Sequence, residues 1–235
     1  MMRSPKPRRR IRFLITAGGT REYIDPVRFI SNASSGTMGY ELARSALLAG
    51  HDVTLITAPT NLCAPKGTGV VKVESARDML EAVKDKFGGC DCLIMTAAVS
   101  DYTPLKPARL KMKKSPGAIT LKLKPTRDIL KWAGTHKRQN QMVVGFALED
   151  RDIKAGAERK LREKNLDMIV ANTPAAIGSE QSGVFVKTAG KKWLRIALAP
   201  KRIVARRLIS LIQSLIPRSS LVNSDSNQKR LLKLP

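Results

Sequence analysis

Residues 11–20 read IRFLITAGGT, a mainly apolar run that stops at two adjacent glycines. A short apolar run closed by a glycine turn is typical of a buried strand. In open parallel sheets, ligands bind beyond the carboxyl ends of the strands, where such turns lie. The pattern therefore predicts a strand over residues 11–16, with residues 17–20 forming a loop at the ligand-binding edge.

Helices and strands alternate after this run. Apolar residues recur at helical spacing after Ser34-Ser35-Gly36 and stop at Gly50, while Ser75 and Asp78 have the spacing of a helix-opening capping box. Strands are predicted over 51–57 and 91–98. This alternation favours parallel crossover units. The predicted fold class is α/β: a Rossmann-like three-layer open sheet, mostly parallel, with an irregular insertion and a C-terminal hairpin plus helix.

The insertion begins at Thr103, where residues 103–117 contain three prolines and a lysine cluster. Apolar and polar residues then alternate over 119–124, which predicts a strand with one solvated face. Thr126 is the predicted cap of a short helix that ends at Ala133. The later predicted elements are a strand over 142–148, a helix over 153–164, a strand over 166–171, a hairpin of 183–188 with 193–199, and an amphipathic helix over 201–216.

Charge divides the chain into three parts. The 235 residues include 43 Lys+Arg and 19 Asp+Glu, a formal net charge of +24. Six basic side chains fall within residues 1–12, and residues 187–235 hold twelve basic side chains against one acid, Asp225. From charge, composition and periodicity we expect a basic N-terminal extension (1–10), a folded domain (11–216) and a basic, disordered tail (217–235).

Composition also limits the function classes. No apolar run approaches the roughly 18 residues of a membrane-spanning helix, and no apolar stretch follows the basic start. We therefore expect a soluble, cytoplasmic protein with no membrane partner. The three cysteines, Cys63, Cys90 and Cys92, form no metal-binding or disulfide pattern, and we expect them to be reduced and buried.

Two glycine-containing turns are candidate phosphate-binding loops. A nicotinamide site would show G-x-G-x-x-G after the first strand and an acid at the end of the second, but the second strand ends in Thr57-Ala58-Pro59. These absences argue against a nicotinamide oxidoreductase. What remains are two turns able to present backbone N–H groups to an anion, formed by Gly18, Gly19 and Thr20 and by Ser34, Ser35 and Gly36.

Two groups of lysines could neutralise a polyphosphate. Lys111, Lys113 and Lys114 lie in the proline-flanked loop, and Lys160 and Lys164 lie four residues apart on one helix face. By spacing alone, both groups could equally be solvated surface charge. Neither histidine has the partners of a triad or a metal site, and no Ser or Cys has the pattern of a nucleophile.

Several motifs occur in the order and at the spacing of a known family. They are ITAGGTRE (15–22), DPVRFISN (25–32), SSG-x-MG (34–39), AAVSDY (97–102), KMKK (111–114), PTRDIL (125–130), VGFALE (144–149) and KLREKNLDMIVAN (160–172). Over roughly residues 11–212 the sequence closely resembles phosphopantothenate-cysteine ligase, the synthetase of coenzyme A biosynthesis, and its bacterial branch more than its eukaryotic one.

This resemblance implies CTP-dependent ligation of 4'-phosphopantothenate with L-cysteine, through an acyl-cytidylate and with Mg²⁺. It also implies a homodimer, for which the segment from Thr103 through 119–123 would extend the sheet between protomers. Because only ten residues, five of them basic, precede the predicted first strand, we expect a stand-alone ligase domain over 11–216. Such a ligase would carry no FMN, and a separate phosphopantothenoylcysteine decarboxylase would act in the pathway.

Site residues follow from the same resemblance. The catalytic positions would be Asn32, Lys111, Arg28 and Ala98, with Asn32 handling the intermediate and Lys111 supporting its formation. The nucleotide-binding positions would be Asp101, Lys111, Arg127, Asp128, Ile129, Leu130, Phe146, Lys160 and Lys164. The lysines would then converge on one pocket, and no protein side chains would be fixed metal ligands.

The sequence departs from the family at two positions and leaves alternatives open. Thr37 stands where the family often has Lys, and Thr173 stands where Asp is usual. Both departures affect the expected phosphate and ribose contacts. The preference for CTP over ATP is open. A nucleic-acid-binding protein that uses the basic ends is the third functional class, although we do not expect nucleic acid as a principal partner.

Overall fold

The computed structural model describes residues 10–114 and 116–216. The strands in chain order are β1 (Arg12–Ala17), β2 (Arg21–Tyr23), β3 (Phe29–Ser31), β4 (Asp52–Thr57), β5 (Gly69–Lys72), β6 (Cys92–Met95), β7 (Tyr102–Pro104), β8 (Leu123–Pro125), β9 (Met142–Leu148), β10 (Met168–Asn172), β11 (Gln181–Thr188) and β12 (Leu194–Pro200). The α-helices are α1 (Thr37–Leu48), α2 (Ala76–Phe87), α3 (Ile129–His136), α4 (Ile153–Glu163) and α5 (Lys201–Leu215), and a 3-10 turn spans Pro174–Ala176. The predicted tail (217–235) and residues 1–9 of the predicted N-terminal extension lie outside the described residues.

Eight strands form the central sheet in the order β12-β11-β10-β9-β6-β1-β4-β5. The six strands from β10 to β5 pair in parallel, while β11 and β12 pair antiparallel at one edge. Helices α1 and α5 cover one face, and α2, α3 and α4 cover the other. This arrangement confirms the predicted three-layer, mostly parallel α/β fold.

Side chains of β1 alternate between the two layers. Phe13 and Ile15 pack with α1 and α5, whereas Leu14 packs with α2 on the opposite face. All three are 1% exposed or less, so β1 is buried on both faces, as expected for a central parallel strand. Because β4 and β6 flank β1 on opposite sides, the strand order reverses there, and ligands bind at such a reversal in open sheets.

Local sequence signals explain several element ends. The Ser75 hydroxyl accepts a hydrogen bond from the Asp78 N–H, and the Asp78 carboxylate accepts one from the Ser75 N–H. This reciprocal pair confirms the predicted capping box of α2. The predicted C-terminal hairpin and amphipathic helix are also present, as β11, β12 and α5.

Two short elements differ from the prediction. Residues 21–31, predicted as a loop, contain the antiparallel hairpin of β2 and β3, and no strand was predicted at β5. Strands of three or four residues are too short to show a period of two, so neither could be found from residue alternation.

The insertion also differs from the prediction. The expected strand over 119–124 is wrong for residues 119–122, because only Leu123–Pro125 forms a strand and pairs with β7. The alternating pattern did not indicate a strand there, because Ile119 and Leu121 are both exposed and do not pack against the core. Asp128, not Thr126, caps α3, since its carboxylate accepts from the Lys131 N–H at 2.9 Å.

The cysteine prediction is correct in part. Cys90 and Cys92 are buried free thiols, but Cys63 is exposed. Cys63 lies in the connection between β4 and β5, residues 58–68, on a stretch where residues 61–63 are all exposed.

None of the helices in the described part of the chain is both long and apolar enough to cross a membrane.

Candidate functional site

A cavity of about 800 Å³ lies beyond the carboxyl ends of the central strands. Loops that follow β3, β6, β9 and β10 border it, together with the first residues of α1, α3 and α5. Because these elements belong to both helical layers, the cavity spans the edge of the sheet at the reversal of strand order. This is the position that the glycine turn after β1 predicted.

Most of the predicted site residues line this cavity. They are Asn32, Ser34, Ser35, Gly36, Ala98, Asp101, Arg127, Asp128, Ile129, Leu130, Phe146, Lys160 and Lys164. The lining does not include Arg28, Lys111, Gly18, Gly19 or Thr20. The structure therefore brings together residues that are more than 130 positions apart in sequence, but it leaves Lys111 outside the shared pocket in which it was expected.

Asn32 is held over the loop that follows β6. Its side-chain amide donates to the carbonyl oxygens of Ala98 at 3.3 Å and Val99 at 3.1 Å. Both amide hydrogens are thereby used, so the side-chain carbonyl of Asn32 remains as an acceptor. The side chain is exposed at the cavity, where it can accept a hydrogen bond from a ligand.

The turn after β1 supports this arrangement from behind. The Gly18 carbonyl accepts from the Ala98 N–H at 2.8 Å, and the Ala98 carbonyl accepts from the Thr20 N–H at 3.3 Å. A Cβ on Gly19 would lie 2.7 Å from the backbone carbonyl oxygen of Asn32, so the close approach of these two loops requires glycine. Thr20 is fully buried, and its hydroxyl accepts from the Ser100 N–H. Gly18, Gly19 and Thr20 therefore support the lining residues Asn32 and Ala98 from behind and do not themselves line the cavity.

The second candidate phosphate loop does reach the cavity. Gly36 has a φ of 77°, a left-handed conformation that favours glycine, and it leads directly into α1. Gly36 has no side chain to cap this helix; the Thr37 N–H donates to the Ser35 hydroxyl at 3.4 Å, and the later N–H groups of the first turn can bind an anion at the cavity. The Ser35 and Thr37 hydroxyls lie 2.8 Å apart beside them.

Lys160 of α4 and Lys164, the residue that follows α4, are ion-paired within the site and are called the α4 lysines below. The Lys160 ammonium lies 2.7 Å from the Glu149 carboxylate, and the Lys164 ammonium lies 2.8 Å from the Asp128 carboxylate. Burial would raise the pKa of Asp128, but hydrogen bonds from Lys164 and from the Lys131 N–H outweigh it, and the pKa is lowered. Asp128 therefore stays ionised and fixes Lys164 at the cavity.

Arg28 belongs to a clamp around the buried Asp25 carboxylate, outside the cavity. The Asp25 side chain, 1% exposed, accepts from the N–H groups of Val27, Arg28 and Met112 and from the Arg28 guanidinium at 2.7 Å. The guanidinium also donates to the Met112 carbonyl at 3.0 Å. Burial would raise the Asp25 pKa, but these N–H donors and the Arg28 charge lower it. The clamp fixes the backbone immediately after Lys111, whose own side chain is exposed.

Neither buried cysteine is an activated thiol, and the described residues form no metal-binding cluster. Burial raises the pKa of Cys90 to about 11, and it raises the pKa of Cys92 well above its ordinary value. Within residues 10–114 and 116–216, no group of three or more His, Cys, Asp or Glu side chains could hold a metal ion. The cavity lining offers positioned charges and hydrogen-bonding groups.

Sequence reasoning missed three residues that build the site. Asp25 supplies the clamp, Gly39 lets α1 approach the sheet, and Lys201 lines the cavity from the start of α5. Asp25 and Gly39 lie within quoted motifs, but their partners at Met112 and Thr96 are distant in sequence. Lys201 had no local signal, because it was read only as the start of an amphipathic helix.

Comparison with known proteins gives a consistent assignment. The family described as "DNA/pantothenate metabolism flavoprotein C-terminal domain" matches this chain over residues 9–216. The coenzyme A biosynthesis bifunctional protein CoaBC of Bacillus subtilis is 51% identical over 167 residues, which are 71% of this chain and 41% of that protein. A cysteine/cysteine sulfinic acid decarboxylase from an unknown prokaryotic organism is 41% identical over 216 residues, or 90% of this chain and 60% of that protein.

A solved structure agrees with these sequence matches. The crystal structure of the C-terminal domain of a CoaBC protein aligns with a TM-score of 0.76 and 41% identity, covering 87% of this chain and 94% of that one. The chain thus spans about half the length of the two curated relatives and 94% of the solved C-terminal domain. The chain belongs to the family of DNA/pantothenate metabolism flavoprotein C-terminal domains, and this membership confirms the resemblance recognised in its motifs.

Proposed function

We propose that this chain, through a domain over residues 11–216, joins 4'-phosphopantothenate to L-cysteine, using CTP to activate the carboxylate. The observation that carries the proposal is the cavity at the strand reversal. Its lining combines Asn32, the serine-glycine turn before α1 and the paired lysines of α4. The CoaBC relatives have a role in coenzyme A biosynthesis that fits this reaction.

The reaction proceeds in two displacements. In the first, a carboxylate oxygen of phosphopantothenate attacks the α-phosphorus of CTP, forming an acyl-cytidylate while the bond to pyrophosphate breaks. In the second, the amine of cysteine attacks the acyl carbon, an amide forms, a proton is lost and CMP leaves. Neither step transfers electrons, so the proposed reaction requires no flavin.

The chemical demand of the first step matches the cavity. Attack of one anion on another requires cations that reduce repulsion and a site that fixes geometry, but it requires no protein nucleophile. Lys160 and Lys164 supply the charge, and their carboxylate partners hold them in place. Phe146 offers an aromatic face at the same cavity, and residues 127–130 present backbone groups that can read the polar edge of a base.

Asn32 would bind the intermediate in the second step. Asn32 keeps its side-chain carbonyl as an acceptor, because both amide hydrogens bind the Ala98–Val99 backbone. This acceptor can bind the cysteine amine or the amide N–H of the pantothenoyl group. The N–H groups at the start of α1 suit a phosphate.

A magnesium ion accompanying CTP would supply additional neutralisation of the triphosphate. Mg²⁺ usually retains several waters and binds substrate phosphates with one or two carboxylates. Asp101, an exposed carboxylate in the lining, could provide such a contact.

A pyrophosphate-release assay tests the proposed function. We expect release from CTP to require phosphopantothenate but not cysteine, and we expect amide product and CMP after cysteine is added. ATP run in parallel measures nucleotide preference. Release of CO2 from cysteine alone, without pyrophosphate release from CTP, would instead favour the chemistry for which one relative is named. Hydride transfer with a nicotinamide cofactor would also contradict the proposal.

We also propose that the protein is a homodimer formed through the β7–β8 arm. This arm consists of β7, β8 and the residues between them, and it exposes large apolar side chains. Among these, Leu110 is 82% exposed and Ile119 is 60% exposed. A second copy is the partner that symmetry favours for such a surface. Light scattering should give twice the mass of the chain, and Leu110→Asp should weaken the dimer. A monomeric wild-type mass at the concentrations used for assay would refute this proposal.

A further inference from the structure

Lys201 is the most enclosed cation of the cavity. It is 7% exposed, and it is the only Lys or Arg that is buried within residues 10–114 and 116–216. It is the first residue of α5, and its side chain lines the cavity together with residues 176–178 of the loop after β10. The surrounding residues therefore fix the Lys201 side chain at the cavity.

The Lys201 ammonium has fewer partners than the other lysines of the cavity. Lys160 and Lys164 each contact a carboxylate, whereas no carboxylate of the described residues forms an ion pair with Lys201. Its Nζ donates one hydrogen bond, to the Ala176 carbonyl at 3.1 Å. An ammonium group has three N–H donors, so two are left for a ligand.

An enclosed charge without a counter-ion destabilises the ligand-free protein. Burial lowers the pKa of Lys201, with no compensating interaction from a nearby acid. Folded proteins rarely keep such a charge unless an anion pairs with it. The arrangement is therefore that of a binding group whose partner arrives with the substrate.

The location of Lys201 separates it from the paired lysines. Helix α5 packs against α1 on one face of the sheet, whereas α3 and α4, which carry the Asp128–Lys164 pair, pack on the other. The start of α1, after Gly36, reaches the cavity from the same face as Lys201. Two groups suited to an anion thus approach the cavity from the α1–α5 layer, across the sheet edge from the α4 lysines.

We propose that Lys201 binds the phosphate group of phosphopantothenate, in a subsite shared with the serine-glycine turn before α1. The α4 lysines then serve the triphosphate, so the two anions enter from opposite layers and meet at the sheet edge. This inference rests on the proposed function, because it assigns one of that reaction's substrates to a position in the cavity.

Calorimetric binding to Lys201→Met tests the assignment. Methionine keeps the length and apolar stem of the side chain but removes the charge. We expect phosphopantothenate to bind about 10- to 100-fold more weakly, the range for losing a charge-assisted hydrogen bond in an enclosed site. The affinities for CTP and for pantothenate, which lacks the phosphate, should stay within about twofold. Lys201→Arg should restore much of the phosphopantothenate affinity.

Thermal unfolding without ligand separates a binding role from a structural one. Because the unpaired enclosed charge destabilises the protein without ligand, Lys201→Met should melt at the same temperature as the wild type or at a higher one. Arg202→Met is the matched control, because it removes an exposed charge from the next position of the same helix. This variant should change neither stability nor binding.

The outcomes separate the inference from the proposed function. If wild-type protein binds neither CTP nor phosphopantothenate, the proposed function fails. If the wild type binds both and Lys201→Met binds phosphopantothenate equally well, only the role of Lys201 is refuted. Loss of CTP affinity alone would assign Lys201 to the nucleotide and overturn the subsite. Equal losses for phosphopantothenate and pantothenate, with a lowered melting temperature, would indicate a structural role.

Discussion

Gly39→Ala should weaken both the fold and the binding site, because α1 lies unusually close to the sheet at this residue. A Cβ at position 39 would lie 2.6 Å from the Ala17 Cβ and 2.6 Å from the Thr96 hydroxyl oxygen. Non-bonded atoms pack best at about 3.5 to 4.0 Å, so the start of α1 would have to retreat by roughly 1 Å. The loop that borders the cavity, Ser34–Gly36, is continuous with this part of the helix.

Two opposing effects set the magnitude. Overpacking of a filled interior costs about 1 to 3 kcal/mol, whereas replacing glycine by alanine within a helix gains up to about 1 kcal/mol. We therefore expect a net loss of about 1 to 2 kcal/mol in the free energy of unfolding. In a domain of this size, that loss should lower the melting temperature by about 2 to 8 °C. Phosphopantothenate should also bind more weakly, since the N–H groups at the start of α1 are displaced.

Gly88→Ala is the matched control. Gly88 follows α2 with a helical φ of −59°, and nothing lies within 4 Å of the Cβ that the substitution would add. This variant should be as stable as the wild type or more stable by up to about 1 kcal/mol. Urea denaturation and calorimetry measure the two quantities. A Gly39→Ala protein with wild-type stability and wild-type affinity would refute the packing argument.

Three further predictions address the clamp and the reaction. Lys111 lies outside the cavity lining, so the role that the resemblance implies requires its loop to move towards the cavity when the substrates bind. Lys111→Gln should then slow acyl-cytidylate formation by about 10²- to 10³-fold, the range for losing an electrostatic donor, with Lys106→Gln as the control on the same exposed segment. Near-normal pyrophosphate release would remove Lys111 from the mechanism. Asn32→Asp replaces the donor to the Ala98 and Val99 carbonyls by a carboxylate, so quenched-flow analysis should show slower consumption than formation of the intermediate, and the reverse order would contradict its role. The pKa of Asp25 is lower in the folded protein than its unfolded value of about 3.9, so the ionised carboxylate stabilises the fold above that pH. This stabilisation is lost as the pH falls through the folded pKa. The urea midpoint should therefore depend less on pH between about 5 and 3 in Asp25→Asn than in the wild type, and parallel pH profiles for the two proteins would show that the clamp is not ionised.

The parts of the fold that were predicted correctly have local causes. β1 was recognisable because a strand buried on both faces needs a continuous apolar run, and α2 was recognisable because Ser75 and Asp78 satisfy each other's backbone. The hairpin of β2 and β3 has no such local cause. It is held by the Asp25 clamp and by contacts to α2, including the hydrogen bond from the Ala76 N–H to Glu22.

The site residues were likewise predicted only in part. Resemblance located Asn32, Asp128 and Lys164, and the topology of the sheet brings all three to one cavity. It also predicted that Lys111 would join them, whereas the fixed backbone at Met112 leaves Lys111 exposed outside the lining. Lys201 was missed because its significance depends on burial and on the absence of a carboxylate partner among the described residues, which no local pattern encodes.

The path of one oxygen atom tests the central claim, that a carboxylate is activated on the α-phosphorus of a nucleotide in this cavity. Phosphopantothenate labelled with ¹⁸O in its carboxylate should be incubated with CTP, cysteine and the protein, and the nucleotide product analysed by mass spectrometry. Displacement of CMP from an acyl-cytidylate must leave one carboxylate oxygen on CMP, so the account predicts CMP that is heavier by one ¹⁸O. Unlabelled CMP, or label recovered in inorganic phosphate, would contradict it.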